Sequence, residues 1–395
     1  MNTDSRVGPA CAAASDNDVK PSTNGNGQEP GGAMQSAATA DWLARAYDGA
    51  RPPEAVRMLM AIARGSHLGP DDSWFGPGQG RYTWEWLAGV HGVEPSGTIL
   101  ADSFRGPREW FARLDRNRDG RLVADDFDWS NGHPFPQQSY LTHRMFRNIN
   151  VGGDGRLTRD EWLAFFDRVA EGGDYLAFDA LRDGLLSGLA SNGPTPDAPT
   201  PEMLVRGFFQ GELGSMKEGP QVGETAADFV LSTHDGRETV RLSERCGTKP
   251  MVLVFGNITC PPFRALFGAV NEQARRYSQE ASFLAVYGRE SHPVSGWALN
   301  CNCQAGVDVA QPRTFEERTA LARQCHDRLR MNMPLLVDEL SDAVSYAYSG
   351  MPCRLYVLGP DRRVIYKSGR GPFGFRPDEM EQALLMALLD ARLPS

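Results

Sequence analysis

The 395-residue chain predicts two fold classes in series: an α/β domain over its C-terminal part and an all-α half before it. Three observations carry this reading. Met251 to Phe255, bounded by Pro250 and Gly256, is a short Val-rich apolar run of the kind that forms a buried strand, and it delivers Cys260 to a turn just before Pro261-Pro262. From there to the end of the chain, short apolar runs alternate with stretches of helical spacing. Upstream, two twelve-residue segments, DRNRDGRLVADD and NVGGDGRLTRDE, each lie between stretches of helical spacing.

Composition narrows the function classes. Hydrophobic content of 41% and charged content of 23% are ordinary for a globular protein. A net charge of −9 argues against nucleic acid and anionic membrane surfaces as partners. No apolar run approaches the ~20 residues of a membrane helix. The N-terminus MNTDSRVGPACAAASDND has neither the basic nor the apolar region of a secretory signal. Seven cysteines, an odd number in a chain this long, predict active thiols in a reducing, cytoplasmic compartment and no disulfide framework. Oligomeric state is not encoded in any pattern here.

Taken in order, residues 1–39 are rich in Gly, Asn, Ser, Ala and Pro and read as a disordered tail carrying Cys11. Residues 40–100 read as a small helical region. Trp42, Leu43 and Tyr47 form one helix, and Pro52-Pro53 starts another with Val56, Leu59, Met60 and Ile62. The aromatic-rich SWFGPGQGRYTWEWLAGVHG then reads as core packing. Residues 101–172 hold the two twelve-residue loops. Residues 173–217 read as a helix, the Pro-rich linker SNGPTPDAPTPEM and a short helix.

In the first loop Asp115, Asn117 and Asp119 offer side-chain oxygens, Gly120 permits the sharp turn, Arg121 offers its carbonyl and Asp126 closes the shell. The segment resembles a calcium-binding EF-hand. Asp126 is one methylene shorter than the usual closing Glu, so weaker calcium binding with magnesium competition is expected. The second loop keeps Asp154, the Arg156 carbonyl and Glu161, but begins with neutral Asn150 and has Gly152 where an oxygen is needed. It is expected to pair with the first loop, and to bind metal only secondarily.

Residues 218–395 resolve into a hairpin about Asp235-Gly236, the Cys260 strand, a helix from about Phe263 to Tyr277, and the strand Phe283 to Tyr287. A helix over Thr314 to Leu329, the strand PLLVD, the hairpin RLYVLGPDRRVIYK and a helix from Pro377 complete it. This is the thioredoxin-like order, in which a proline such as Pro352 is often cis. Cys260 at a helix start is favoured as a thiolate; the alternative is a buried structural thiol. Tyr287, Glu290, His292 and Trp297 follow the next strand to the same sheet edge, where a carboxylate and an imidazole are placed to pass a proton. The alternative is a solvated loop with a capping His. Gly369, Gly371 and Gly374 have GxGxxG spacing, but Pro372 and the missing βαβ unit exclude a dinucleotide site.

FGNITCPPF, VYGRESHPVSGW, QPRTFEER, LLVDE, PCRLYV and YKSGRGPFGF stand in the order and spacing of the iodothyronine deiodinases, a family this chain resembles over roughly residues 218–393. The resemblance implies a thioredoxin-like fold and reductive removal of iodine from an aromatic substrate. Cys260 takes the place of the family's selenocysteine, Glu290 and His292 match its catalytic pair, Arg354 an arginine that holds the substrate's amino-acid end, and Asp338 an acid. Tyr287 is placed with the substrate-binding residues. Ile258 and Pro312 stand where the vertebrate enzymes have a cysteine and a histidine. A Cys nucleophile and the EF-hand pair make the whole resemble a bacterial relative.

The expected partners are a small aromatic or halogenated substrate and a thiol reductant such as a thioredoxin or glutathione, with Cys301, Cys303 and Cys353 as candidates to regenerate Cys260. A peroxiredoxin-like peroxidase or general thiol oxidoreductase is the competing reading. Asn257 stands where peroxiredoxins place threonine, and Phe263 breaks a CxxC. A calcium-binding module with a vestigial redox domain is the third.

Overall fold

The computed structural model describes residues 31–47, 49–66, 76–186, 197 and 199–393. Residues 1–30 of the expected tail, with Cys11, lie outside them, as do the start of the aromatic stretch and most of the Pro-rich linker. The tail's expected C-terminal limit is corrected by helix α1 (Gly31–Ala46), whose Ala-rich sequence has high helix propensity. Helix α2 (Glu54–Ala63) starts directly after Pro53.

Strand β1 (Gln79–Gly80), helix α3 (Trp84–His91), strand β2 (Ile99–Leu100), helix α4 (Arg108–Leu114) and strand β3 (Arg121–Leu122) follow, then a 3₁₀ turn at Ala124–Phe127. Thr83 caps α3 by accepting the Trp86 N–H, and Gly92 ends it in the left-handed region at φ +67°. Helices α5 (Pro134–Ile149) and α6 (Arg159–Ala170) flank the second loop, and α7 (Phe178–Leu185) and α8 (Pro201–Phe209) complete this half. The region expected to be purely helical thus contributes strands. The residues Gln79-Gly80 and Ile99-Leu100 are too few for a periodicity to register.

The α/β part begins with β4 (Val230–Thr233), β5 (Thr239–Arg241) and the short α9 (Leu242–Arg245). Next come β6 (Met251–Gly256), α10 (Pro261–Arg276) and β7 (Ser282–Tyr287), then α11 (Asn300–Gln304) and α12 (Phe315–Leu329). Strand β8 (Leu335–Val337), α13 (Ala343–Ala347), β9 (Arg354–Leu358), β10 (Val364–Lys367) and α14 (Pro377–Asp390) close the chain. The eight-stranded sheet runs β1-β10-β9-β6-β7-β8-β4-β5. Within it β6 and β7 are parallel, joined through α10, while β9 and β10 return antiparallel and lead into α14. This βαβ–ββα core is the thioredoxin-like fold. Every residue of β6 is buried, with Val252 and Val254 facing one core and Met251, Leu253 and Phe255 the other.

The two halves do not pack as separate domains. Trp84, Leu87, Ile99, Trp110, Phe111 and Leu114 belong to the same core as Phe267 of α10 and Met380, Leu384 and Leu388 of α14. Buried side chains of this size contribute roughly 1.5–3 kcal/mol each relative to exposure. Strand β1 extends the sheet itself, with Gln79 opposite Lys367. Gln382 of α14 accepts the Trp129 indole N–H at 2.7 Å and donates to the Asp126 carbonyl at 2.9 Å.

The expected pairing of the two twelve-residue loops is corrected. Leu122 of the first loop pairs with Ile99 of β2. The second loop instead docks on α10: Arg264 donates to the Gly153 carbonyl at 3.1 Å, and a Cβ on Gly155 would overlap the Arg264 backbone. A glycine two residues before the paired apolar residue, Gly97 before Ile99 as Gly120 precedes Leu122, was the readable signal. It is hidden because residues 92–103 carry few carboxylates.

Candidate active site

Cys260 is the residue immediately before α10, and Pro261 and Pro262 occupy the first two helical positions. Neither proline has an N–H, so the first helical donor is Phe263, whose N–H favours the charged form of Cys260. The thiol is 1% exposed. Burial pushes its pKa up, but the neighbouring Cys353 thiol, the Phe263 N–H and the charges of Arg264 and Arg147 outweigh that and hold it below the ordinary thiol value. Cys353 lies just before β9, with its sulfur 3.7 Å from that of Cys260. Burial, then the hydrogen bond to Cys260, pushes Cys353 well up, so the shared proton belongs to Cys353. The Met351–Pro352 peptide is cis, as is Gly371–Pro372.

The loop after β7 is held against the Cys260 turn by a buried polar network. Asn257 donates to the Ser291 hydroxyl at 2.7 Å and to the Pro352 carbonyl at 3.2 Å, and accepts the Ser291 N–H. Thr259 places its hydroxyl 2.7 Å from Glu290 Oε2 and accepts the His292 backbone N–H at 3.1 Å. Glu290 also accepts the Tyr287 hydroxyl and the Thr259 N–H. It is 2% exposed, and burial raises its pKa. His292 Nδ1 lies 3.1 Å from the Trp297 carbonyl, an acceptor only, so Nδ1 carries the proton and Nε2 keeps its lone pair. Burial pushes the His292 pKa down to about 4, which leaves the ring neutral at pH 7.

Cys260 and His292 line the same cavity of about 70 Å³, with Ser291, Trp297, Pro352 and Gly371. Met58 of α2 and Leu213, just after α8, complete its wall. Met58, Ala61 and Phe208 form a small apolar cluster of their own, so α2 and α8 make up one cover over the thiol.

The iodothyronine deiodinase family profile matches residues 203–387. Type I iodothyronine deiodinase of Xenopus laevis is 34% identical over 134 residues, which is 34% of this chain and 51% of the frog protein. Thyroxine 5-deiodinase of Gallus gallus is 30% identical over 203 residues, 48% of this chain and 76% of the relative. The chain belongs to the iodothyronine deiodinase family. It spans about half the length of the frog relative. Among solved structures, a peroxidoxin from Mycobacterium tuberculosis is 20% identical and matches 44% of this chain and 99% of its own with a TM-score of 0.30.

Within this deiodinase-family domain, the structure brings Cys260 and His292 to one cavity and places Glu290 behind them. Of the pair expected to pass a proton, Glu290 meets His292 through Thr259, which joins it to the His292 backbone and not to the ring. Tyr287 is fully buried as the hydroxyl partner of Glu290 and lies outside the cavity lining, so it supports Glu290 in place of contacting a ligand there. Arg354 is also placed differently from the expectation of a free substrate clamp. Its Nη2 lies 2.8 and 3.0 Å from the two Glu54 oxygens, and Arg370 Nη2 lies 2.9 Å from Glu54 Oε2. Arg354 borders a different, polar cavity of about 340 Å³ with Arg51, Arg57, Glu218 and Lys367. Asp338 accepts the N–H groups of Val344 and Ser345 at the start of α13, a capping position.

Sequence reasoning missed Thr259 and Glu54. Thr259 beside the nucleophile was readable as a polar residue in the turn. Glu54 was not, since its partners lie 300 residues or more away in sequence.

Among the described residues, no group of three or more His, Cys, Asp or Glu side chains converges to hold a metal. In the first loop Gly120 has the required positive φ of 82°. Asp115 accepts the N–H groups of Asp119 and Gly120, Asp119 that of Arg121, and Asp126 those of Arg116 and Val123. Asn117 Oδ1 accepts the Asp119 N–H. The backbone therefore has the form of the loop, with Asp115 and Asp126 buried as two carboxylates at its ends. In the second loop the Asn150 side-chain amide donates to Asp154 Oδ1 at 3.2 Å, to Glu161 Oε1 at 3.1 Å and to the Arg156 carbonyl. An N–H₂ group thus sits among the oxygens expected to ligate a cation.

Proposed function

We propose that this deiodinase-family chain is a thiol-dependent oxidoreductase that reductively dehalogenates a small aromatic substrate. The observation that carries the reading is a cysteine held below the ordinary thiol pKa at a helix start, in one cavity with a neutral histidine. The Cys260 thiolate attacks the halogen, the carbon–halogen bond breaks, and the carbon takes up a proton from water. The products are the dehalogenated ring and a Cys260 sulfenyl halide. His292 Nε2 accepts a hydrogen bond from a ring hydroxyl, orienting the ring, while Glu290 and Thr259 fix the loop that carries it. A thiol reductant such as a thioredoxin or glutathione, in a reducing cytoplasm, then restores the thiol. Among the described residues, no helix is long and apolar enough to cross a membrane.

A cavity of about 70 Å³ is well below the ~300 Å³ at which ligand pockets begin, so the α2–α8 cover must yield for a ring to enter. The test is iodide release from iodophenols and iodothyronines with a dithiol. Release requiring Cys260 supports the reading; peroxide consumption without any dehalogenation overturns it in favour of a peroxidase.

The same proposal includes calcium at the first loop, through Asp115, Asn117, Asp119, the Arg121 carbonyl and Asp126. Titration calorimetry is expected to show one site, of sub-millimolar to millimolar Kd, abolished in Asp115→Asn and unaffected in Glu161→Gln. No heat at millimolar calcium removes calcium from the proposal.

A further inference from the structure

The reaction proposed above leaves Cys260 oxidised, and the protein needs a second thiol or an external one to release the halide. Five cysteines of the described residues are free thiols: Cys246, Cys260, Cys301, Cys325 and Cys353; the expected candidate Cys303 is corrected, because it is already disulfide-bonded. Cys353 alone of these is in sulfur contact with Cys260, at 3.7 Å. Cys301 on α11 is turned to Arg147 and Arg264. Cys325 is buried on α12 and Cys246 follows α9.

We infer that Cys353 is the resolving thiol of the site, displacing the halide from Cys260 to close a Cys260–Cys353 disulfide. The inference rests on the reading of Cys260 as the nucleophile. The step balances: Cys260–S–I and Cys353–SH give the disulfide, iodide and a proton released to water. The disulfide takes two electrons and two protons from an external dithiol, which leaves as its own disulfide.

The fold supplies the proximity from both sides. Phe255 at the end of β6 and Arg354 at the start of β9 are register partners, so the Cys260 turn and Cys353 emerge at one end of two adjacent strands. Gly371 donates its N–H to the Cys353 carbonyl at 3.0 Å, and a Cβ there would overlap the Cys353 sulfur. A glycine at that position leaves the sulfur its room.

The environment also orders the two steps. Besides burial, it is the Cys260 thiolate, through its hydrogen bond and its charge, that keeps Cys353 protonated. Once iodine caps Cys260 that charge is gone, and Cys353 gives up its proton more readily. Before the first step Cys353 serves as a donor to the thiolate; after it, as the attacking sulfur.

The test uses the reduced full chain and one equivalent of hydrogen peroxide, which brings Cys260 to the oxidation level of the sulfenyl halide without any substrate. Intact-mass and tryptic analysis of the wild type is expected to show loss of two hydrogens and a Cys260–Cys353 cross-linked peptide. Cys353→Ser, which keeps a hydroxyl donor, and Cys353→Ala are both expected to hold a Cys260 sulfenic acid that dimedone captures. Cys301→Ser is expected to behave as the wild type. A wild type that accumulates the sulfenic acid with Cys353 still alkylatable, or that joins Cys260 to Cys301, overturns the inference while leaving Cys260 as nucleophile. A Cys260 that no variant oxidises overturns both readings.

Discussion

A Cys260→Ser protein is expected to lose dehalogenation by roughly 10⁴-fold while keeping its fold, since a hydroxyl has neither the acidity nor the nucleophilicity of the thiolate. The sulfur is 1% exposed, and serine matches its shape closely enough to keep the Cys353 contact. The pH dependence follows from the same neighbours. Cys260 ionises below the ordinary thiol value, so alkylation by iodoacetamide should rise with pH with a midpoint below that of a free cysteine. Cys353→Ala removes a donor to the charged form, and the midpoint should move up. His292 stays neutral down to about pH 4, so an acid limb of activity above that pH belongs to the thiol or to Glu290, whose pKa burial raises. A wild-type alkylation midpoint at or above that of free cysteine would count against the site.

Glu54→Ala is expected to be the most destabilising single substitution outside the main cores, by about 3–5 kcal/mol, because it leaves two buried guanidinium groups without their carboxylate. Burial alone would raise the Glu54 pKa, but Arg354 and Arg370 bring it down to about 2 from the ordinary 4.5. A depressed carboxylate stabilises the fold fully above its unfolded value. That stabilisation, about 3 kcal/mol from the size of the shift, is lost as pH falls from about 4.5 through about 2. Urea denaturation at pH 7 and at pH 3 should therefore show a larger gap between wild type and variant at pH 7. Because Glu54 and Met58 share α2, loosening the clasp should also speed alkylation of Cys260. A variant as stable as the wild type, with unchanged alkylation, would show that α2 is held by its apolar face alone.

The α/β elements were legible because each has a length and a period of its own. Met251 to Phe255 reads as a strand, Pro261-Pro262 as a helix start and Asp235-Gly236 as a turn, and the structure puts each there. Cys260 and His292 were legible as chemistry because their residue types are rarely neutral choices at a strand end. What the chain did not disclose were relations at long range. A two-residue edge strand such as β1 has no period to detect, and the pairing of Ile99 with Leu122 depends on a loop that has shed its ligands. Arg354 looked available for a substrate because its counter-charge comes from a helix in the other half. The contacts of the Asn150 amide with Asp154 and Glu161 inside the second loop were likewise not legible in the spacing.

The family match begins at residue 203, yet a fragment cut there would be an incomplete protein. It would strip Glu54 from Arg354 and Arg370, the Gly153 carbonyl from Arg264 in the first turn after the nucleophile, and the Trp129 indole from Gln382. The face of α14 that meets Trp110 and Leu114 would open to water. What reads along the chain as a portable catalytic cassette behind a calcium-type leader is, in three dimensions, one inseparable piece. Exchanging the leader would mean rebuilding the cover over the thiol.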